Sequence, residues 1–250
     1  MNKKKSANKA GIMGLVDHLG ELRKRLVIVA ITLAITCVVC FNFSHLIVNT
    51  LVDVAKSYGY KLIYLAPAEL FMQYIKVTFI AGTICALPVI LYQLWAFLKP
   101  GLNKKENRSI LVGLFFGLIC FGVGAYFSYI IVFPFMLSFF ININMSAHVT
   151  ASLSITNYIS FVMTSLLTFG MIFEMPVVIA VLTKLGILKP EWLIQGRKVI
   201  IIIIFVICAI ITPPDVVSQM MVAIPMILLF EISIRISQFL YKKKLKAQQE

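Results

Sequence analysis

Residues 155–182 read Ile155-Thr-Asn-Tyr-Ile-Ser-Phe-Val-Met-Thr-Ser-Leu-Leu-Thr-Phe-Gly-Met-Ile-Phe-Glu174-Met-Pro-Val-Val-Ile-Ala-Val-Leu182. At about 1.5 Å rise per residue, a helix over this run is roughly 42 Å long, enough to cross a ~30 Å bilayer core with tilt or overhang. Glu174 has hydrocarbon on both sides. A carboxylate near the middle of a span costs ~2.5 kcal/mol or more and usually faces a bundle interior or a wet cavity. Glu174 is therefore a candidate cavity residue; the plainer alternative is a glutamate satisfied by nearby Ser and Thr hydroxyls. Pro176 is expected to kink the helix beside it and free a backbone carbonyl.

The rest of the composition agrees with a membrane setting. Of 250 residues, 60% are hydrophobic and only 13% charged, against roughly half and a quarter in a soluble domain. A net charge of +13 would suggest nucleic acid in a soluble protein. Here the basic residues sit in short segments between apolar runs, so they read as topology signals, with no nucleic-acid partner. Cys37, Cys40, Cys85, Cys120 and Cys208 all fall inside apolar runs and read as packing residues, the Cys37-x-x-Cys40 pair included.

Outward from residue 155, the sequence predicts an all-α integral membrane protein, one domain over 1–250. Polar tails occupy 1–10 and 242–250. Residues 14–25 form an amphipathic lead-in on the membrane surface, with Leu15, Leu19, Leu22 and Leu26 at helical spacing. Six transmembrane helices follow at about 26–43, 70–98, 110–133, 155–182, 199–211 and 216–234. No small-x-small cleavage site follows the first apolar stretch, so it reads as a retained span. Leu46, Ile47, Thr50, Leu51 and Val54 suggest a second interfacial helix, and 61–65 a short extended stretch. Pro67 and Glu69 suit the first turn of the second span. Pro88 and Pro225 should bend their helices, and Pro134 should break the third. Gly113, Gly117, Gly122 and Gly124 permit close helix contact. The fifth span is short, and the Thr212–Asp215 hairpin turns the chain into the sixth.

Of 23 Lys and Arg, all but Lys56, Lys61 and Lys76 lie on the side of the two termini. The positive-inside rule puts that side in the cytoplasm. His18, His45 and His148 have no clustered ligands around them, and no metal or cofactor site is expected. No residue set looks catalytic: there is no H-E-x-x-H, no G-x-S-x-G and no P-loop. Glu21 can pair with Arg25, and Glu231 with Arg235, at i,i+4. A proton- or ion-coupled small-solute secondary transporter using Glu174 is the alternative this leaves open, although the two halves show no repeat.

Several stretches together resemble one family. They are His18-Leu-Gly-Glu-Leu-Arg-Lys-Arg25, Pro67-Ala-Glu-Leu-Phe71, Leu87-Pro-Val-Ile-Leu-Tyr-Gln-Leu-Trp-Ala-Phe97, Pro100 with Glu106, Phe173-Glu-Met-Pro176, Thr212-Pro-Pro-Asp-Val-Val-Ser-Gln219 and Ala223-Ile-Pro-Met-Ile-Leu-Leu-Phe-Glu231. In order and over about residues 15–240, they resemble TatC, the multispanning subunit of the twin-arginine protein translocase.

The resemblance implies a curved, glove-like bundle of six spans in the bacterial cytoplasmic membrane, both termini cytoplasmic. It implies a receptor for twin-arginine signal peptides on folded cargo, not an enzyme. The implied partners are single-span TatA- and TatB-type subunits and further copies in a receptor complex, with the proton-motive force as drive. By motif, Glu21, Phe97 and Glu106 match the signal-peptide surface and Glu174 the cavity glutamate. Pro213, Pro214, Asp215 and Gln219 match a partner-contact region. Asn107 departs from the family, where a basic residue often follows the glutamate, and is expected to tune the site. The chemistry is coherent, because carboxylates receive guanidinium forks two bonds at a time.

Overall fold

The computed structural model describes the backbone of residues 2–64, 66–98, 104–144, 152–212 and 216–249. Side chains are described within 19–246, apart from residues 98, 104–106, 140 and 142–144 in the helices. The chain is almost entirely helical. The first helix, α1, runs unbroken over Asn2–Ser57. The expected lead-in, first span and second interfacial helix are thus one rod. The cause is visible in the sequence: no Gly or Pro falls between Glu21 and Ser57, and the apolar spacing keeps its helical phase. The stop comes at Gly59, in the left-handed region at φ +85°. Its N–H donates to Lys56 O at 2.9 Å and that of Tyr60 to Ala55 O at 3.2 Å, a Schellman closure.

The outer part of α1 is a core element. Val48, Leu51 and Ala55 are buried against Val77, Phe133, Ile159 and Val162. Two buried phenols fasten this end: Tyr158 donates to Leu51 O at 2.6 Å and Tyr60 to Leu137 O at 2.9 Å. Burial pushes the Tyr60 phenol up from its ordinary pKa, so it remains a donor at neutral pH. Farther inward, Ile31, Ile35, Val38 and Phe41 are exposed, as lipid-facing residues must be.

After α1, β1 (Lys61–Ile63) pairs in parallel with β2 (Ser152–Ser154). The sequence reading found β1 but not its partner. Next, α2 (Pro67–Leu98) continues as one helix through Pro88. The third run is α3 (Lys104–Phe127), one π turn (Ser128–Val132) and α4 (Phe133–Asn144). Phe133 N–H reaches five residues back to Ser128 O, and this wide turn takes up Pro134 where a break was expected. The helix therefore continues through much of the expected loop. His148 lies outside the described residues.

The opening stretch does break where Pro176 predicts. Helix α5 (Ile155–Phe173) stops at Glu174 and α6 (Met175–Leu185) restarts beyond it. A short α7 (Pro190–Gln195), with Pro190 at its first turn and Glu191 behind it, lies in the expected basic loop. Then come α8 (Arg197–Ile211) and α9 (Val216–Gln249), the latter passing through Pro225 and carrying most of the expected polar tail as helix.

Five helical stretches are long and apolar enough to cross a membrane: Leu19–Ser57, Pro67–Phe97, Asn107–Phe139, Ile155–Leu185 and Val216–Lys246. Helix α8 has 15 residues and about 22 Å of rise, short of a full crossing by itself. It packs on α9 through Ile204 and Cys208, and the Gln219 amide donates to Phe205 O at 3.1 Å. Helices α6 and α9 meet at a buried Thr183–Ser237 hydroxyl pair, 2.8 Å apart. Glu231 pairs with Arg197 at 2.9 Å, across helices, and not with Arg235 as the i,i+4 spacing suggested.

Small residues set the crossing points. A Cβ on Gly82 would lie 2.7 Å from Cys37 Sγ and 3.1 Å from Cys37 Cα. One on Gly113 would meet Val181 at 2.5 Å, and Gly124 abuts Phe169 and Phe173. By contrast, nothing lies within 4 Å of a Cβ on Gly122. Gly82→Val is therefore expected to lower the melting midpoint of the detergent-solubilised protein, by an overpacking cost of about 1–3 kcal/mol. Gly122→Ala is expected to leave it unchanged or raise it. Equal melting of the two variants would show that α1 and α2 do not cross so closely.

Candidate functional site

Glu21, expected on the signal-peptide surface, is tied to the last turns of α2, which carry Phe97. Arg25 on α1 donates to Glu21 through Nε, at 3.2 Å, and through a very short Nη2 contact. Its remaining nitrogen, Nη1, donates to Gln93 Oε1 on α2 at 3.1 Å. Both members of the pair are partly buried. The expected i,i+4 pair therefore exists, and it also ties α1 to α2 through a residue, Gln93, that sequence reasoning did not single out. The signal was in the string, since Gln93 is the one polar amide in an apolar turn between Leu87 and Phe97.

Two residues on, Trp95 is buried with Ala96 and Ile110. Its indole N–H donates to Asn107 Oδ1 on α3 at 2.9 Å. Asn107 thus joins the end of α2 to the turn of α3 that carries Glu106. The departure from the family pattern is a helix-to-helix hydrogen bond. Phe97 is half-buried one turn beyond Gln93. The Glu106 backbone is helical, and its side chain lies outside the described residues, as do Pro213, Pro214 and Asp215.

Deeper along the same two helices, an apolar groove of about 580 Å³ opens between α2 and α3. Pro88, Leu91, Tyr92, Leu111, Phe115 and Leu118 are among its lining residues. Tyr92 stands beside Trp95, ring centroids 5.4 Å apart, so the groove begins next to the Gln93 turn.

Glu174 is elsewhere, at the α5–α6 junction. It faces α3 where a Cβ on Gly117 would come 3.9 Å from its Cδ. The glycine leaves room for the carboxyl. Its Oε1 is buried without a hydrogen-bond partner. The plainer alternative of satisfaction by Ser or Thr hydroxyls is thus not met for that oxygen. At the opposite end of the molecule, Glu69 accepts from Thr156 at 3.2 Å and Lys76 donates to Ser160 at 2.8 Å. These contacts stitch α2 to α5, so Glu69 serves packing as well as its helix start. Gln219 gives one amide hydrogen to Phe205 O. His45 is stacked on Tyr74. Among the described residues no three His, Cys, Asp or Glu side chains could hold a metal.

A chain that is almost entirely helical, with five stretches long and apolar enough to cross a membrane, belongs to the multi-pass membrane class. The comparisons make the class specific. The family model for TatC, the Sec-independent protein translocase protein, matches residues 17–225. TatCy of Bacillus subtilis (strain 168) is 39% identical over 96% of this chain and 94% of its own length. TatC of Aquifex aeolicus (strain VF5) is 41% identical over 94% of this chain and 99% of its own. A crystal structure of the twin-arginine translocase receptor TatC superposes with TM-score 0.81 at 42% identity, covering 89% of this chain and 99% of that one. This chain belongs to the TatC family. The transporter alternative finds no support in any of these likenesses.

The Trp95–Asn107 bond can be tested directly. Trp95→Phe, Asn107→Leu and the double variant form a cycle, read by melting in detergent. A coupling of about 0.5–1.5 kcal/mol is expected for one net hydrogen bond. Additive losses would mean that the two side chains do not act together.

Proposed function

We propose that this chain is the receptor subunit of a Sec-independent translocase and binds the twin-arginine signal peptides of folded cargo. The observation that carries the reading is the convergence on one end of α2. Gln93 connects there through Arg25 to Glu21, Phe97 follows one turn later, and Asn107 fastens the helix start bearing Glu106. In this reading Glu21 and Glu106 receive the two guanidinium groups, and Phe97 packs beside them. The apolar stretch that follows the arginines in such a peptide lies in the groove between α2 and α3. Binding and assembly do the work, without a catalytic group or cofactor.

Family membership supports a wider assignment. The chain works as one unit in the bacterial inner membrane, with α8 completing six spans of a glove-like bundle. It assembles with TatA- and TatB-type single-span subunits and with further copies of itself, driven by the proton-motive force. Pro213, Pro214, Asp215 and Gln219 form the partner-contact region. Glu174 offers an unsatisfied carboxyl oxygen to a polar group of a partner or to water. The distribution of Lys and Arg supports both termini being cytoplasmic.

Two measurements test these statements. Reporter fusions at Asn103 and Gln195 are expected to read cytoplasmic, and fusions at Tyr58, His148 and Pro214 external. A cytoplasmic reading at His148 would end the six-span arrangement. Glu106→Ala is expected to weaken a labelled twin-arginine peptide by on the order of 1.5–3 kcal/mol, ten- to a hundredfold, with melting unchanged. Glu106→Arg is expected to be worse, because repulsion is added to the lost pair. Undiminished binding by Glu106→Arg would refute the assignment.

A further inference from the structure

Arg23, Lys24 and Arg25 are consecutive, yet they behave differently. Arg23 and Lys24 are exposed, whereas Arg25 is turned inward. A positive-inside signal needs only charge near the surface and gives no reason for one of the three to dock. Arg25 docks with both edges of its guanidinium. Nε and Nη2 converge on Glu21 Oε1, and Nη1 is held by Gln93 Oε1 at 3.1 Å. Among the described residues Glu21 Oε2 has no partner. One carboxylate of the proposed receptor surface is therefore already half-filled, by the same chemical group that the surface is meant to receive.

We infer that Arg25 is an internal stand-in for a signal-peptide arginine, which an incoming guanidinium must displace from Glu21, and that every peptide cation therefore binds against this resident competitor. The inference rests on the reading of Glu21 as a signal-peptide residue. Its physical basis is a comparison of bonds before and after exchange. A ligand arginine restores a planar fork on the carboxylate, two parallel charge-assisted bonds for the two that Arg25 gives up. The displaced Arg25 keeps its Gln93 contact and swings toward water, so the exchange is close to balanced. A ligand lysine displaces the same fork but brings an ammonium that cannot form one. The resident arginine thus sets the same displacement cost for every cation; a ligand arginine can match the bonds that are lost and a ligand lysine cannot.

The test uses the full-length protein in nanodiscs, titrated with labelled twin-arginine and twin-lysine forms of one signal peptide. In Arg25→Gln the twin-arginine peptide is expected to bind about threefold to tenfold tighter, and the twin-lysine peptide to gain no more than that. Arg25→Lys keeps the charge but not the fork and is expected to tighten twin-arginine binding by less. It serves if Arg25→Gln does not yield a monodisperse protein. Glu21→Gln in the parent separates the two possible failures. If twin-arginine binding is indifferent to Glu21→Gln, Glu21 is not a peptide site and the inference falls with it. If binding depends on Glu21 but twin-arginine binding is unchanged or weaker in the Arg25 variants, Arg25 is a structural brace and the inference alone is overturned.

Discussion

The guanidinium of Arg25, shared between Glu21 and Gln93, fixes the relation between the first two helices at the basic end. It matters because the middle of α1 is held mainly by α2 at the Cys37–Gly82 approach and otherwise faces lipid. The far end is held independently, by Tyr158 on the Leu51 carbonyl and Tyr60 on the Leu137 carbonyl. Between two such clamps a long rod can keep one position against α2 with little side-chain contact along its length. In hydrocarbon this arrangement is natural. There is no hydrophobic gain in bringing apolar helices together, so close packing and a few polar contacts decide where they cross.

That division of labour explains what was legible in the sequence. The spans were legible because hydropathy follows from the solvent, and the break at Glu174 because Pro176 lacks a backbone N–H. The extended stretch at Lys61 was legible as well. The continuity of α1 was not, because an apolar stripe at helical spacing looks the same on an interfacial helix as on a helix docked in a core. Strand β2 was missed because three residues, Ser152 to Ser154, carry too little pattern, and their pairing with Lys61–Ile63 is long-range. Helix α7 could have been found, since Pro190 followed by Glu191 is a helix-start signature. At the site, Glu21 with Arg25 was readable from spacing. Gln93 to Arg25 and Trp95 to Asn107 join different helices and were beyond any local pattern.

The glycines sharpen the same lesson. Four were expected to be contact residues in α3, yet only Gly113 and Gly124 lie at tight crossings. Gly122 faces open space. Gly117 lies opposite the Glu174 carboxyl, where the absence of a side chain serves to accommodate a polar group. Sequence spacing showed that α3 had a small-residue face but could not say which member met backbone, which met a ring and which met a carboxylate.

Both notable acids of this molecule are incompletely satisfied, and in different ways. Glu21 is paired through one oxygen in a partly exposed setting, where an ion pair contributes little and can be exchanged. Glu174 Oε1 is buried with no partner, so its cost is borne by the folded state until something polar arrives. The first arrangement suits a surface that must release one ligand to accept another. The second suits a contact made within the membrane, by water or by another chain. They lie on different neighbours, α2 for Glu21 and α3 for Glu174, and the described side chains form no hydrogen-bonded chain from one to the other. Helix α3 touches both places, meeting α2 at Asn107 and the Glu174 carboxyl at Gly117, while α2 also reaches α5, the helix that ends at Glu174, through Glu69 and Lys76.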